Sequence, residues 1–126
     1  MAIETIVTDD APAPGGHYAQ ATASGDLLFV AGQLPVRPDG THLSDAPFEE
    51  QARQALANLL AIVRAGGSGP ERVLKVNVYI VGIDHWPAFN RVYAELFGDA
   101  RPARAVMPVP ELHFGYLLEV DCIAAR

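Results

Sequence analysis

The chain has 126 residues, half of them hydrophobic, and a formal net charge of −6, so it can build one domain over 1–126 with a core of its own. Its nine basic residues are scattered, with Lys75 the only lysine, which argues against a nucleic-acid binder and against lysine Schiff-base chemistry. Cys122 stands alone, no Cys/His spacing suits zinc, no run approaches the roughly 18 apolar residues of a membrane helix, and Met1-Ala2-Ile3-Glu4-Thr5 has no leader pattern: a cytoplasmic protein with no metal, cofactor or membrane partner is expected.

Two short strand-like segments, Glu4 to Thr8 and His17 to Ala23, lead into the apolar run Leu27-Leu28-Phe29-Val30-Ala31. Ser24-Gly25-Asp26 reads as a hairpin turn with Gly25 free to take a positive φ. A polar loop with Pro35, Pro38 and Asp39-Gly40 follows, long enough to carry function. It ends where Ser44 or Asp45 can cap a helix and Pro47 fits its first turn. From Phe48 to Arg64, the residues Phe48, Ala52, Ala55, Leu56, Leu59 and Ile62 recur at steps of three and four, with Glu49, Glu50, Arg53, Gln54 and Asn58 opposite. This is an amphipathic helix closed by Gly66-Gly67.

Val73 to Val81 alternates, with Val76, Val78 and Ile80 on one face and Lys75, Asn77 and Tyr79 on the other, the pattern of a half-buried strand. Asp84 is placed to cap a second helix, whose Trp86, Phe89, Val92, Tyr93, Leu96 and Phe97 form a stripe that reads as core, ended by Gly98. Strands Ala103 to Val109 and Tyr116 to Ala124, joined by Pro110-Glu111-Leu112-His113-Phe114-Gly115, complete the order β-β-β-α-β-α-β-β. The fold class is α+β, a single mixed sheet with two helices on one face. In the last strand Leu118, Val120, Cys122 and Ala124 point one way and Leu117, Glu119, Asp121 and Ile123 the other. Apolar residues on both sides of the sheet point to an oligomer that buries the second face.

If the last two strands lie side by side, Arg104, Val106 and Pro108 come near Glu119 and Asp121. That juxtaposition reads either as a structural salt bridge or as a site in which a planar guanidinium grips a substrate carboxylate while a glutamate positions water. Ser24, Ser44 and Ser68 occupy no nucleophile elbow. Gly66-Gly67-Ser68-Gly69-Pro70 follows a helix instead of opening one, so it is a connector and not a phosphate cradle. His17, His42, His85 and His113 share no helical face, which favours surface or hydrogen-bonding roles over metal; His17 and His113 flank segments that matter below.

Four stretches in order carry a resemblance: Ala11-Pro12-Ala13-Pro14-Gly15-Gly16-His17-Tyr18-Ala19-Gln20-Ala21, Phe29-Val30-Ala31-Gly32-Gln33-Leu34-Pro35, Gln51-Ala52-Arg53-Gln54-Ala55-Leu56-Ala57-Asn58-Leu59 and Arg101-Pro102-Ala103-Arg104-Ala105. With them the chain resembles, almost end to end, the reactive intermediate deaminases, the Rid family formerly called YjgF and also known as L-PSP endoribonucleases. The resemblance implies a chorismate-mutase-like fold and a homotrimer with clefts between subunits. It also implies cofactor-free hydrolysis of 2-aminoacrylate and 2-iminopropanoate to pyruvate and ammonia, so the partner is a small imino or keto acid.

By the same resemblance Arg104 binds the carboxylate, Tyr18 of the Gly-x-Tyr-x-Gln motif lines the cleft, Glu119 holds the attacking water, and Gly32-Gln33 lies beside the site. The expected catalytic set is Arg104, Glu119 and Tyr18, and the substrate-binding set adds Ala31, Gly32 and Val106. Three positions depart from the family's usual pattern: His17 stands for proline in Gly-Pro-Tyr, Ala31 for serine in Ser-Gly-Gln, and Val106 for a frequent cysteine. The segment from Met107 to Phe114 is also unlike the commonest deaminase pattern. Water attack on a protonated imine needs a carboxylate clamp and a placed water, not a thiol. The alternative expectation is a Rid-fold protein that binds a metabolite without turnover; a ribonuclease is less favoured, since the chain is acidic and has no acid-base histidine pair.

Overall fold

Residues that alternate in the sequence end on opposite sides of one sheet in the computed structural model, which describes residues 2–126. Strands β1 (Glu4–Ile6), β2 (Ala21–Ser24) and β3 (Leu27–Gln33) precede α1 (Phe48–Ala65), β4 (Val73–Ile80), α2 (Trp86–Phe97), β5 (Ala103–Pro108) and β6 (Leu118–Ala125). The strand order is β1-β2-β3-β6-β4-β5. Only β4 and β5 are parallel, joined through α2; the other neighbouring pairs are antiparallel, so the sheet is mixed as expected.

One side of every central strand is sealed under the helices. Leu118, Val120, Cys122 and Ala124 on β6, and Val76, Val78 and Ile80 on β4, join Ala52, Ala55, Leu56, Leu59, Ile62, Phe89 and Val92 in one core. The opposite side, with Leu27, Phe29, Lys75, Asn77, Tyr79, Glu119, Asp121 and Ile123, has no covering layer and is only partly buried or exposed. Among the described residues no helix is long and apolar enough to cross a membrane.

Several local expectations are corrected. Strand β2 begins at Ala21, not His17, because Gln20 turns inward and pins the preceding loop. Its amide accepts from Thr8 N at 2.8 Å and donates to Thr8 O and Pro12 O, each at 3.0 Å. Neither helix has a side-chain cap: Pro47 itself occupies the N-cap of α1, and Asp84 lies in a 3₁₀ turn (Ile83–His85) before α2. Asn58, assigned to the polar side of α1, is buried, as is Gln51. Both fasten loops that helical periodicity cannot see. Asn58 donates to Leu34 O and Val36 O; Gln51 donates to Ala46 O and accepts from Leu117 N, which sets the entry into β6.

The sheet carries a bulge where it matters. Val30 pairs with Cys122 but Gln33 with Val120, so Ala31 and Gly32 together oppose the single residue Asp121. A bulge bends its strand and re-aims neighbouring side chains. Gln33, buried beneath it, donates its side-chain amide to Ala31 O at 3.2 Å.

Candidate active site

Glycine at position 32 leaves room beside the bulge for the Glu119 side chain. A Cβ built there would lie 2.4 Å from Glu119 Oε2, so the glutamate side chain crosses the β3 backbone in space that only a missing side chain leaves open. The cleft around it, about 400 Å³, is lined by Tyr18, Ala31, Gly32, His113, Phe114 and Glu119, with Gly15 and Gly16. Burial pushes the Glu119 carboxyl above the ordinary carboxylate range; His113 opposes this and Asp121 adds to it. A carboxylate held in this way suits work on a water proton.

Tyr18, Ala31, Gly32 and Glu119 are therefore brought together, although they lie up to 101 positions apart. Tyr18 is exposed and its hydroxyl accepts from Gly15 N at 3.3 Å. Asp121, on the same sheet face, accepts from Asn77 Nδ2 at 2.8 Å and from Tyr79 OH at 3.0 Å. It is a braced group, and its charge and hydrogen bond push the Tyr79 hydroxyl up, after burial itself.

Arg104 lies elsewhere, and the expected β5–β6 adjacency is wrong. Strand β4 intervenes between them, since a parallel β4-α2-β5 crossover places β5 at the sheet edge. Arg104 pairs with Val76, which pairs with Cys122, and so it belongs to the helix-covered face, whereas Glu119 pairs with Tyr79 on the open one. The guanidinium carbon sits 4.7 Å from the Tyr93 ring centre, 5.2 Å from Trp86 and 5.7 Å from Phe89. Aromatic faces attract a cation and immobilise it.

Among the described residues no carboxylate forms a salt bridge with Arg104, which removes the structural ion pair with Glu119 or Asp121. The α2 aromatics, read from sequence as core alone, are also the platform of this cation, and Trp86 stays partly exposed. Burial pushes the Tyr93 hydroxyl up to about 12 despite the nearby guanidinium. Val106 packs half-buried against the core on the same side as Arg104 and does not line the Glu119 cleft.

The residues missed from sequence are His42, Phe114 and Tyr116. The His42 ring is hydrogen-bonded to the Tyr116 hydroxyl and packs 4.8 Å from Phe114. Phe114 and Tyr116 lie two positions apart in one segment, but His42 comes from a distant loop and no spacing links it to them. Among the described residues no group of three or more His, Cys, Asp or Glu could hold a metal ion.

Comparison with known proteins agrees with this fold. The chain matches the family model described as endoribonuclease L-PSP over residues 8–126. It is similar to a RutC family protein of Pyrococcus horikoshii, 40% identical over 123 residues that span 98% of each chain. Its fold is similar to that of the Escherichia coli YjgF gene product, with a TM-score of 0.92 and 32% identity over 98% of each chain. It is equally similar to E. coli TdcF with bound serine, at a TM-score of 0.93 and 32% identity over 98% of each chain.

Proposed function

The chain belongs to the Rid/YjgF family, whose model is described as endoribonuclease L-PSP, and on that premise we propose that it hydrolyses small 2-imino acids and their enamine tautomers at a cleft shared between copies of a homotrimer. The observation that carries this reading is the division of the site. Among the described residues, one chain offers a cleft with a carboxylate but no arginine or lysine, and an aromatic-held guanidinium with no carboxylate partner, on opposite faces of the same sheet. Packing the open sheet face and the β5 edge of one copy against the next unites the two halves and covers Leu27, Phe29 and Ile123.

In the united cleft Arg104 takes the substrate carboxylate through two parallel hydrogen bonds. Glu119 orients a water and accepts its proton as the oxygen adds to the imine carbon. The carbon–nitrogen bond then breaks, and the nitrogen leaves with the transferred protons, so that iminium plus water gives keto acid plus ammonium. Tyr18 flanks the reacting carbon. The serine bound to TdcF supports a ligand with a carboxylate next to a nitrogen-bearing carbon.

That same serine favours a second reading, in which the cleft binds such a metabolite without turning it over. A coupled assay separates the two: an amino-acid oxidase generates imines in situ, and keto-acid release is followed with and without the protein. Acceleration that is lost in Arg104→Ala supports hydrolysis. Binding of keto acids without acceleration supports the second reading.

A further inference from the structure

Phe114 is the only non-glycine residue with positive φ among those described, at φ 61° and ψ 16°, and it is also 66% exposed. A phenylalanine in this conformation is strained, and strain that persists marks a side chain placed for a purpose. Its ring is not loose. It packs on His42, which is tied in turn to the hydroxyl of the fully buried Tyr116. Beyond this wall lies a second cleft, of about 340 Å³, that shares Gly15, Tyr18, Gly32 and Phe114 with the Glu119 cleft and continues to Pro14, Leu34, Val36 and His42.

Resting on the deaminase reading, we infer that this second cleft is a side-chain subsite, and that the substrate is a 2-imino acid with a neutral, bulky apolar or aromatic side chain. Its volume equals roughly ten waters at about 30 Å³ each, far more than the methyl of 2-iminopropanoate needs. The pyrrolidine of Pro14, the Leu34 and Val36 side chains and the rings of Tyr18 and Phe114 offer apolar surface, and His42 is the one base in a lining that has no lysine or arginine. Asp39 lines the same cleft, and the backbone N–H of Thr41 holds its carboxyl below the usual range, so acidic side chains meet a negative charge.

The test supplies alanine, leucine, phenylalanine and glutamate to an L-amino-acid oxidase and compares kcat/KM for the four imines. The phenylalanine and leucine products are expected to exceed the alanine product by about tenfold or more, the discrimination typical of an apolar pocket, with the glutamate product poorest. Val36→Phe fills the cleft and is expected to cut the phenylalanine-to-alanine ratio by about tenfold. Phe114→Gly removes the wall in a residue type that accepts this φ, and it is also expected to lower the ratio.

Equal or better use of the alanine imine, or a ratio that neither variant moves, overturns the subsite and leaves the deaminase reading standing. If no imine is hydrolysed but phenylpyruvate binds more tightly than pyruvate, and Val36→Phe abolishes the difference, the subsite stands and the deaminase reading falls. If neither hydrolysis nor a binding preference is found, both fall.

Discussion

At the scale of single residues, the proposed chemistry rests on two groups held in opposite ways. Arg104 rests on aromatic faces and, among the described residues, has no carboxylate partner to leave behind, so Arg104→Ala is expected to cost at most about 1 kcal/mol of stability while abolishing imine hydrolysis. Arg104→Lys keeps the charge but loses the planar fork, and most activity should go with it. Melting temperatures and initial rates measured together check this; a variant that unfolds in step with its loss of activity would restore a structural role.

Glu119 behaves differently, because burial raises its carboxyl pKa in the folded chain. A group with a raised folded pKa supports the fold below its unfolded value, and that support is lost as pH rises through the folded value. At pH 7 the ionised form therefore costs stability. Glu119→Gln should melt higher than wild type at pH 7 yet turn over at least a hundredfold more slowly, and the stability advantage should vanish as pH falls below the ordinary value of 4.5. Wild type melting higher at pH 7 would mean that a cation outweighs burial in the assembled cleft.

At the scale of elements, the β3 bulge and α1 share the task of building the cleft. Gly32→Ala places a methyl group on Glu119 Oε2. The atom in the way is the tip of a flexible side chain, so stability should change little. Displacing that carboxylate by about 1 Å is expected to slow hydrolysis by up to about a hundredfold, which rates and thermal melts of the variant will read separately. Helix α1 acts through its buried amides. Asn58→Ala removes the side-chain donor from both carbonyls, leaving Leu34 O with the Val36 N–H alone and Val36 O without the amide it accepts from, and should cost about 1–3 kcal/mol, measurable by urea denaturation. The loop it fastens forms the far wall of the second cleft.

At the scale of the whole molecule, the proposed trimer rests on an uncovered sheet face and a divided site. Sedimentation equilibrium is expected to give three times the 13.5 kDa chain mass. A sharper check is complementation. Arg104→Ala and Glu119→Gln subunits, each inactive alone, are refolded together; random assembly gives roughly a quarter of the interfaces one intact half from each chain, and activity should appear in that proportion. A mixture that stays inactive would place the whole site within one chain. Purified trimer should leave RNA intact, since a net charge of −6 repels a phosphate backbone.

Periodicity determined the element order, the two faces of β4 and β6 and the apolar stripe of α1, because burial on one side of a strand or helix imposes a repeat of two or about 3.6 residues on the sequence. Leu118, Val120, Cys122 and Ala124 could be assigned to the core from that repeat alone. Resemblance of four stretches then nominated Tyr18, Ala31, Gly32 and Glu119, which the fold gathers into one cleft. The lateral order of the strands was not legible, since alternation carries no record of which strand is a neighbour; only the crossover through α2 decided that β4 separates Arg104 from Glu119. Nor could the sequence show Asn58 as buried or Phe114 as a wall. A buried amide is chosen by the loop carbonyls it satisfies and a strained φ by the packing that holds it, and both partners lie far away along the chain and meet only in the tertiary structure.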